Sequence, residues 1–358
     1  MDAIVLVGGE GTRLRPLTYD IPKQMLPIVD RTLVEHVVSW LRRTGIERAI
    51  LSLGYRADAF IEAFPTGEID GVKLAYAVDP EPLGTAGAIR FAATEARVDG
   101  PFLVLNGDVL TDFDGASLLR FHAENGANAS IYLTPVEDPS AFGVVATEAS
   151  GKVVDFVEKP PPGTAPTNLI NAGAYVLEPS VLECIPEGRA VSIERETFPA
   201  LVASGTLFAV SSDAYWLDTG TPAKYLQAQL DILRGLRSHT RPAAAETAPG
   251  RFEATGAVVK GNLAGVAYVG HDAEVGTGAL VHDSVIGAGA RIGAGARLVR
   301  SAVLPGASIG GGCVVEDSLV GPGAILGPGS RLAELTVIRG GAEVDAGAEL
   351  VGARYPTP

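Results

Sequence analysis

The N-terminal stretch AIVLVGGEGTRLRPLTYDIPKQMLPI, residues 3–28, combines an apolar run, a glycine-rich loop and two spaced cations. The apolar run predicts a buried strand, and the glycines after it let the backbone approach a ligand closely and aim several N–H groups at it. Arg13 adds a planar guanidinium and Lys23 a point charge. This pattern suits a polyphosphate held at two places. A tight turn with two solvated cations is the alternative.

Two known phosphate-binding motifs do not match this loop. A P-loop requires G-x-x-x-x-G-K-[ST], and no lysine follows Gly11 in that way. The dinucleotide fingerprint G-x-G-x-x-G starts well with Gly9 and Gly11, but Leu14 stands in the place of the third glycine. A phosphate site here must therefore follow another pattern.

The chain up to about residue 236 alternates strand-like and helix-like segments. Strands are predicted at 3–7, 48–55, 102–109 and 129–136, and helices at 33–45, 58–64, 117–126 and 223–236. Such alternation predicts a mostly parallel sheet with helices on both faces. Ligands bind beyond the carboxyl ends of such strands. Since the glycine loop and Asp108 both follow strand ends, we expect them to share one crevice.

From about residue 253 onward a period of six appears. Aliphatic residues recur at Val269, Val275 and Val281, again at Ile286, Ile292 and Leu298, and then from Leu326 to Leu350, often followed by glycine or alanine. One inward aliphatic every six residues predicts a parallel β-helix of roughly four to five coils of about 18 residues each. Steps of five near 281–286 and 315–320 indicate a shortened corner. Such a stack has flat faces and an open end, so we expect self-association through it.

These patterns predict three segments: a first domain at 1–236, a linker at 237–252 and the β-helix at 253–358. The linker is inferred from the Ala- and Pro-rich stretch 239–251, which has no apolar period.

Composition limits the function classes further. The net charge of −14 disfavours a nucleic-acid partner, although local cations still suit a small anionic ligand accompanied by a divalent metal. No apolar run reaches the roughly 20 residues of a membrane span. Residues 1–7 lack a basic region, so we expect no signal peptide. Cys184 and Cys313 are far apart, as expected for reduced thiols in a cytoplasmic protein.

Several motifs together resemble the signature of the sugar-nucleotide pyrophosphorylases, nucleotidyltransferases that join a nucleoside triphosphate to a sugar 1-phosphate. They are GGEGTRLRPLT with PK (8–18, 22–23), EPLGTAGA (81–88), LNGDV (105–109), FGVV (142–145), FVEKP (156–160), INAGAY (170–175) and WLDTGTP (216–222). The similarity covers nearly the whole chain and implies an α/β, Rossmann-like mixed sheet followed by a left-handed parallel β-helix of hexapeptide repeats. GTAGA, NAGAYVLEPSVL and SIERETFPAL resemble most closely the GDP-mannose pyrophosphorylases, the mannose-1-phosphate guanylyltransferases.

The resemblance implies roles on the nucleotide side. Arg13 and Lys23 would stabilise charge on the reacting phosphates. The nucleotide itself would be bound by the glycine loop and by the EPLGTAG segment, at Leu6, Gly8, Gly9, Gly11, Thr12, Pro82, Leu83, Gly84, Thr85 and Gly87.

The resemblance also implies the sugar and metal sites. Sugar phosphate would meet Asn106, Gly143, Glu158, Lys159 and Asn171, and Mg²⁺ would be held by Asp108 and Asp218. Without the resemblance, the favoured interpretation of each aspartate is a turn or cap residue, and that of Glu158 with Lys159 is a surface pair.

Other functions stay open at this point. The sequence KQMLPI, with Gln24, is closer to the thymidylyltransferases, so a glucose-1-phosphate thymidylyl- or uridylyltransferase is one alternative. A non-catalytic regulatory sugar-nucleotide-binding paralogue is another, although such a protein could have lost the catalytic charges. A third is a bifunctional enzyme with an acyltransferase β-helix, for which His271 and His282 are the candidate bases. The expectation is GTP with mannose 1-phosphate, in a cytoplasmic homo-oligomer.

Overall fold

The computed structural model describes residues 1–54 and 56–356. The chain divides into two compact units, the first made of Met1–Gly9 and Val34–Trp216 and the second of Glu10–Leu33 and Leu217–Pro358. The segment 10–33, which carries Arg13 and Lys23, therefore belongs to the unit that contains the C-terminal repeats. The predicted boundaries 1–236, 237–252 and 253–358 stay a prediction.

Strands and helices alternate along the first two thirds of the chain. They are β1 (Asp2–Leu6), β2 (Pro27–Ile28), β3 (Arg31–Thr32), α1 (Leu33–Arg43), β4 (Arg48–Leu53), α2 (Ala57–Ala63), β5 (Glu68–Ile69), β6 (Val72–Val78), α3 (Gly84–Glu95), β7 (Phe102–Asn106), β8 (Val109–Thr111), α4 (Gly115–Asn125), β9 (Ala129–Pro135), β10 (Gly143–Thr147), β11 (Val153–Glu158), β12 (Leu169–Leu177), α5 (Pro179–Glu183), α6 (Phe198–Ser204), β13 (Leu207–Ser211), β14 (Trp216–Asp218) and α7 (Pro222–Leu233). Three short 3₁₀ helices (Thr12–Leu14, Leu17–Tyr19, Lys23–Met25) and a π-helix (Ile193–Thr197) complete this part.

Short strands dominate the last third of the chain. They are β15 (Ala245–Ala248), β16 (Arg251–Glu253), β17 (Val258–Val259), β18 (Asn262–Val269), β19 (Glu274–Val275), β20 (Leu280–Ile286), β21 (Arg291–Ile292), β22 (Arg297–Val299), β23 (Ala302–Val303), β24 (Ser308–Ile309), β25 (Val314–Glu316), β26 (Leu319–Val320), β27 (Ile325–Leu326), β28 (Arg331–Ala333), β29 (Val337–Ile338), β30 (Glu343–Val344), β31 (Glu349–Val351) and β32 (Arg354–Tyr355).

The first unit is built on one mixed sheet, in the order β11-β10-β12-β7-β1-β4-β6-β5, with β9 and β13 added beside β12. The strands β7, β1, β4 and β6 are parallel to one another. At the two ends of this group, β12 is antiparallel to β7 and β5 is antiparallel to β6. The strands β9 and β10 pair antiparallel with β12, and β11 pairs antiparallel with β10. The predicted α/β fold with a mixed sheet is confirmed. The sheet was expected to be mostly parallel; among the described strands of this sheet the parallel pairs are β1–β7, β1–β4, β4–β6 and β9–β13, and the other pairs are antiparallel.

The parallel strands are central because their side chains are apolar on both faces. In β1, Ala3, Ile4 and Val5 are fully buried, as expected for a strand covered on both sides. Ile4, Val104 and Tyr175 belong to the same core cluster, so the sheet and its helices share one interior.

The predicted helices at 33–45, 58–64, 117–126 and 223–236 are confirmed as α1, α2, α4 and α7. The strand predicted at 48–55 is β4, which ends at Leu53; Tyr55 lies outside the described residues. The strand predicted at 102–109 is interrupted between β7 and β8, because the chain turns at Gly107 and Asp108.

The repeats of the second unit form the expected parallel β-helix. Successive coils pair in register, so that Val275 lies beside Ile292, which lies beside Ile309 and then Leu326. These aliphatic side chains fill one continuous core. The hand of the helix stays a prediction.

The coil length is 17 residues over most of the β-helix because one corner is a residue short. Ser284, Ser301 and Ser318 follow this corner in successive coils, and all three are fully buried. The backbone N–H of Ser301 donates to Ser284 Oγ at 3.1 Å, and that of Ser318 donates to Ser301 Oγ at 3.1 Å. The five-residue steps noted in the sequence are thus a corner stabilised by a ladder of buried hydroxyl groups.

The second half of the segment 237–252 contains regular secondary structure. The strands β15 and β16 form a hairpin, and β16 pairs in parallel with β18 of the β-helix. Only Phe252 of this hairpin is buried, and β15 is largely exposed. The linker was inferred from the absence of an apolar period. An exposed hairpin at the edge of a sheet explains that absence, because few of its side chains are buried.

Among the described residues, none of the helices is both long and apolar enough to span a bilayer.

Candidate active site

The glycine loop begins where three parallel strands of the first unit end together. Leu6, the last residue of β1, is in register with Ser52 of β4 and Asn106 of β7. The N–H of Gly107 donates to the Leu6 carbonyl at 2.9 Å. Gly8 and Asp108 therefore follow adjacent strand ends, as the alternating pattern predicted.

Gly107 is required by this close approach. A Cβ at position 107 would lie 2.6 Å from Val7 Cγ1 and 2.7 Å from the Leu6 carbonyl oxygen. Gly8 is also tight, since its Cβ would come within 3.3 Å of the Gly54 nitrogen, whereas Gly9 has open space around it. The backbone between Gly8 and Gly9 is exposed, so its N–H groups can face a ligand.

The sugar-side residues of the first unit form a second group around β10, β11 and β12. Gly143 pairs with Glu158 across β10 and β11, and a Cβ at Gly143 would lie 3.0 Å from Glu158 Oε2 and 2.7 Å from Phe156 Cζ. Lys159 Nζ lies 3.6 Å from Glu158 Oε1. The structure thus brings Gly143, Glu158 and Lys159 together.

Glu158 sits in an environment that resists its ionisation. Its side chain is only 17% exposed. Burial raises the pKa of Glu158 above its usual value and the nearby Glu194 raises it further, while Lys159 and Arg195 act in the opposite direction. A carboxylate that has already lost most of its hydration gains more from ligand hydroxyl donors than an exposed one would.

Asn171 is held in a fixed orientation by a bulge in β12. Its Nδ2 donates to the Tyr175 hydroxyl at 3.0 Å, and its Oδ1 accepts from the N–H of Gly173 at 3.0 Å. Asn106 packs directly on Gly173, where a Cβ would lie 2.7 Å from Asn106 Nδ2. The two predicted sugar-binding amides are therefore neighbours through Gly173.

Trp216 packs against the chain near the predicted sugar-binding residues. Its Nε1 donates to the Ala172 carbonyl at 2.9 Å, and its ring meets Phe142 edge-on with the centroids 5.6 Å apart. Both contacts support the chain beside Asn171 and Gly143.

The segment 81–88 is anchored by a part of the chain that sequence reasoning did not connect to it. The N–H of Val191 donates to the Leu83 carbonyl at 2.8 Å, and that of Ala86 donates to the Val191 carbonyl at 2.9 Å. A Cβ at Gly84, whose φ is 69°, would lie 2.6 Å from the Val191 oxygen. Gly84 therefore has a structural reason to be glycine, and its contact with a base stays a prediction.

Glu194 is the residue of this region that the sequence did not single out. Its Oε2 accepts from the Thr85 hydroxyl at 2.9 Å and from the Ser192 hydroxyl at 2.8 Å. It also contributes to the raised pKa of Glu158. Glu194 therefore links the predicted nucleotide residue Thr85 to the predicted sugar residue Glu158. Its place within SIERETFPAL was the only signal in the sequence.

In the second unit, Lys23 lies beside Gly11 and Arg13 lies beside Asp218. A Cβ at Gly11, whose φ is 62°, would lie 3.0 Å from Lys23 Cβ and 3.0 Å from Thr18 Cγ2. The Thr18 hydroxyl donates to the Gly11 carbonyl at 2.8 Å. The excursion between the two cations thus folds back, so that the buried Lys23 returns beside the loop.

Arg13 lies beside residues 218–220 of the same unit. Its Nη2 is 3.7 Å from Asp218 Oδ2, and its guanidinium lies over Gly220, where a Cβ would clash with it. Asp218 Oδ1 accepts from the N–H of Gly220 at 2.7 Å. The Arg13 side chain is 60% exposed and that of Asp218 is 24% exposed, so both can still meet a ligand.

Two of the histidines, His122 and His271, contact neighbouring polar side chains. His122 Nδ1 lies 2.9 Å from Ser130 Oγ and its Nε2 lies 3.2 Å from Glu178 Oε1, a buried contact that fixes α4 on the sheet. His271 pairs with Asp272 on the surface of the β-helix. Within residues 1–54 and 56–356, no three His, Cys, Asp or Glu side chains cluster as a metal site.

Comparison with known proteins decides the family. The sequence model described as nucleotidyl transferase matches residues 2–235. The chain belongs to the nucleotidyl transferase family. A second model, described as the GMPPB C-terminal domain, matches residues 263–354, which lie in the β-helix.

Curated relatives of the chain are named as mannose-1-phosphate guanylyltransferases. The mannose-1-phosphate guanylyltransferase of Mycobacterium tuberculosis is 41% identical over 84% of this chain and 83% of that protein. A probable mannose-1-phosphate guanylyltransferase of Oryza sativa subsp. japonica is 38% identical over 86% of this chain and 82% of that protein. The crystal structure of HddC from Yersinia pseudotuberculosis complexed with GMP-PN is similar with a TM-score of 0.55 and 30% identity, over 64% of this chain and 97% of that one.

These similarities confirm the predicted family and enzyme class: the chain is a sugar-1-phosphate nucleotidyltransferase. Its substrates are a nucleoside triphosphate and a sugar phosphate, and enzymes of this family generally use a divalent metal ion.

Proposed function

We propose that this protein transfers GMP from GTP to mannose 1-phosphate, giving GDP-mannose and pyrophosphate, the function predicted from the motifs. The relatives named as mannose-1-phosphate guanylyltransferases, at 37–41% identity, support the choice of substrates. The observation that carries the mechanism is the return of Lys23 to Gly11, together with the contact of Arg13 with Asp218 in the same unit.

In this reaction one oxygen of the sugar phosphate forms a bond to the α-phosphorus of the triphosphate. The bond from that phosphorus to the oxygen bridging to the β-phosphate breaks, and pyrophosphate leaves with the electron pair. The attacking phosphate is already ionised near neutral pH, so no covalent nucleophile or strong general base is needed. Catalysis then depends on positioning and on stabilisation of the developing charge.

We assign the stabilisation of the charge that develops on the phosphates to Arg13 and Lys23. The exposed Arg13 guanidinium can reach the α-phosphate and the departing pyrophosphate with two parallel donors. Lys23 is only 8% exposed, so its ammonium acts from a site where solvent screens it little. Removing one such charge commonly lowers the rate by about 10²–10³-fold.

Binding of the nucleotide is assigned to exposed backbone after β1 and to the 81–88 segment. The residues proposed are Leu6, Gly8, Gly9, Gly11, Thr12, Pro82, Leu83, Gly84, Thr85 and Gly87. The side chain of Thr85 is already bonded to Glu194, so its contribution is to the shape of the pocket. Gln24 is 2% exposed, so its departure from the guanylyltransferase pattern is a poor guide to the base.

The sugar 1-phosphate is assigned to Asn106, Gly143, Glu158, Lys159 and Asn171. Glu158 accepts hydrogen bonds from sugar hydroxyls, and Lys159 contacts the phosphate. Gly143 leaves the space in which the Glu158 carboxylate lies, since any side chain there would come within 3.0 Å of it.

We propose Mg²⁺ as the divalent metal, held by Asp108 and Asp218. Both groups offer hard carboxylate oxygens and are partly accessible, which fits Mg²⁺. Mg²⁺ usually takes only one or two carboxylates and completes its shell with phosphates and water, so a cluster of three acidic residues is not required. When bound, the ion would neutralise phosphate charge. Asp218, oriented by the N–H of Gly220, would then exchange part of its contact with Arg13 for the metal.

We also propose that the protein is a cytoplasmic homo-oligomer that associates through the β-helix. Cys184 and Cys313 are free thiols, in keeping with a reducing compartment. The faces of the β-helix include exposed aliphatic side chains, among them Val258, Ile325 and Val351.

The test is pyrophosphate release with Mg²⁺, crossing GTP, dTTP, UTP, ATP and CTP with mannose 1-phosphate and glucose 1-phosphate. Dominant turnover of GTP with mannose 1-phosphate is expected. Preference for dTTP or UTP with glucose 1-phosphate would contradict the proposed substrates and would leave the proposed mechanism unchanged. Inactivity with every pair would favour the regulatory sugar-nucleotide-binding function.

A further inference from the structure

The segment that carries Arg13 and Lys23 is bound to the β-helix by an ion pair with two hydrogen bonds. Arg339 follows β29 in one of the last coils. Its Nε donates to Asp20 Oδ2 at 2.8 Å and its Nη2 donates to Asp20 Oδ1 at 2.8 Å. Asp20 lies between the two cations, three residues before Lys23. Both residues belong to the second unit.

Contacts continue from Arg339 to the glycine loop. Tyr19 receives two guanidinium groups, since Arg339 and Arg15 each lie 5.4 Å from its ring centroid. Arg15 Nη2 in turn donates to Glu10 Oε2 at 2.7 Å. Glu10 stands between Gly9 and Gly11, so an unbroken series of contacts runs from the β-helix to the phosphate-binding backbone.

Regular secondary structure does little to fix the middle of this segment. Residues 12–25 contain three 3₁₀ helices of three residues each. Farther along, the Pro27 carbonyl accepts from Gln229 Nε2 at 2.9 Å, and the N–H of Val29 donates to Gln229 Oε1. Side-chain contacts therefore help to hold the bend at Tyr19 and Asp20, and those with Arg339 come from the β-helix.

We propose that Arg339 is a positioning residue for the transfer reaction. It acts through Asp20 and Tyr19 on the segment that presents Arg13 and Lys23, so the β-helix takes part in catalysis as well as in assembly. The inference rests on the proposed function. An exposed ion pair adds little to folding stability, whereas a small displacement of a catalytic charge has a large effect on rate. The loss of Arg339 should therefore appear in turnover and hardly in stability.

The β-helix offers a matched control for this pair. Arg300 Nε and Nη2 donate to Asp317 Oδ1 and Oδ2 at 2.7 and 2.6 Å, also as a two-bond pair between exposed side chains. Both partners belong to the β-helix itself. Arg300→Gln therefore removes an equivalent ion pair without touching the segment 10–33.

The experiment compares Arg339→Gln, Asp20→Asn, the exchange Arg339→Asp/Asp20→Arg and Arg300→Gln in the full-length protein. Pyrophosphate release is measured with GTP and mannose 1-phosphate, and thermal unfolding is followed alongside. We expect kcat to fall about tenfold or more in each single variant at positions 339 and 20, with melting temperatures equal to that of Arg300→Gln. The exchange should restore part of kcat, since it re-forms the ion pair without the contact to Tyr19.

Two results would overturn the proposal. One is kcat in Arg339→Gln equal to that in Arg300→Gln, and the other is a loss of activity that follows a loss of melting temperature. Wild type and Arg13→Ala are assayed in parallel. An inactive wild type refutes the proposed function. An active wild type with an inactive Arg13→Ala and a fully active Arg339→Gln refutes the positioning role alone.

Discussion

Replacing Gly11 by alanine should destabilise the protein and slow the reaction. The φ of 62° at this residue costs about 1–2 kcal/mol for any residue with a Cβ. The new methyl group would also lie 3.0 Å from both Lys23 Cβ and Thr18 Cγ2, and such overpacking costs about 1–3 kcal/mol. The free energy of unfolding should therefore fall by roughly 2–5 kcal/mol. Displacement of Lys23 should lower kcat about tenfold.

The assay is urea unfolding followed by circular dichroism, with Gly9→Ala as the control. No heavy atom lies within 4 Å of a Cβ at Gly9, so that variant should unfold within about 0.5 kcal/mol of wild type. Thr18→Ser removes Cγ2 and keeps the hydroxyl that donates to the Gly11 carbonyl. Added to Gly11→Ala, it should recover about 1 kcal/mol. Equal stability of Gly11→Ala and Gly9→Ala would refute the packing of Lys23 against the glycine loop.

Three further changes test other parts of the site. Gly143→Ala should raise KM for mannose 1-phosphate at least fivefold and leave KM for GTP nearly unchanged, because the methyl group displaces Glu158; equal effects on both substrates in steady-state kinetics would contradict the sugar assignment. Asp108→Asn should lower Mg²⁺-dependent turnover by about 10²–10³-fold with an unchanged circular dichroism spectrum, and near-normal turnover would contradict the metal assignment. Burial raises the pKa of Asp79 to about 6, so the carboxylate form is disfavoured in the folded state and wild-type stability is lost as the pH rises from about 4 through 6. Asp79→Asn should therefore resist urea better than wild type at pH 8 and no better at pH 4, and an equal difference at both pH values would be inconsistent with this shift.

The β-helix was predictable because its physical requirement is local and repeated. Each face of a coil needs one inward side chain, so Val275, Ile292 and Ile309 report the architecture without knowledge of any distant contact. Even the shortened corner was visible, as steps of five residues. The ladder of buried hydroxyl groups at Ser284 and Ser301 could not be predicted, since a serine in a glycine-rich repeat gives no sequence signal that separates a buried position from an exposed one.

Residues of the site that depend on contacts distant in sequence were harder to find. The motif resemblance named Thr85 and Glu158, but Glu194, which is bonded to the first and raises the pKa of the second, lies more than 30 residues from either. The resemblance explained the glycine at position 84 by a contact with the ligand. The structure adds a second explanation, since a Cβ at Gly84 would clash with the Val191 carbonyl oxygen. Such contacts leave no periodic signal in the sequence.

The membership of the segment 10–33 in the second unit was also invisible to sequence patterns. Spacing indicated that Arg13 and Lys23 act together, and the fold places Lys23 against Gly11. That Asp20 binds Arg339, about 320 residues away along the chain, follows only from the tertiary structure.

The central claim is that the bond between the α-phosphorus of GTP and the oxygen bridging to its β-phosphate is broken by the phosphate of mannose 1-phosphate. The most direct measurement incubates the protein and Mg²⁺ with mannose 1-phosphate and GTP labelled at either the α- or the γ-phosphorus, and separates the products. The α-label should appear in GDP-mannose and the γ-label in pyrophosphate. Release of the γ-label as inorganic phosphate, or an α-label that stays in GTP or appears in free GDP, would contradict the account.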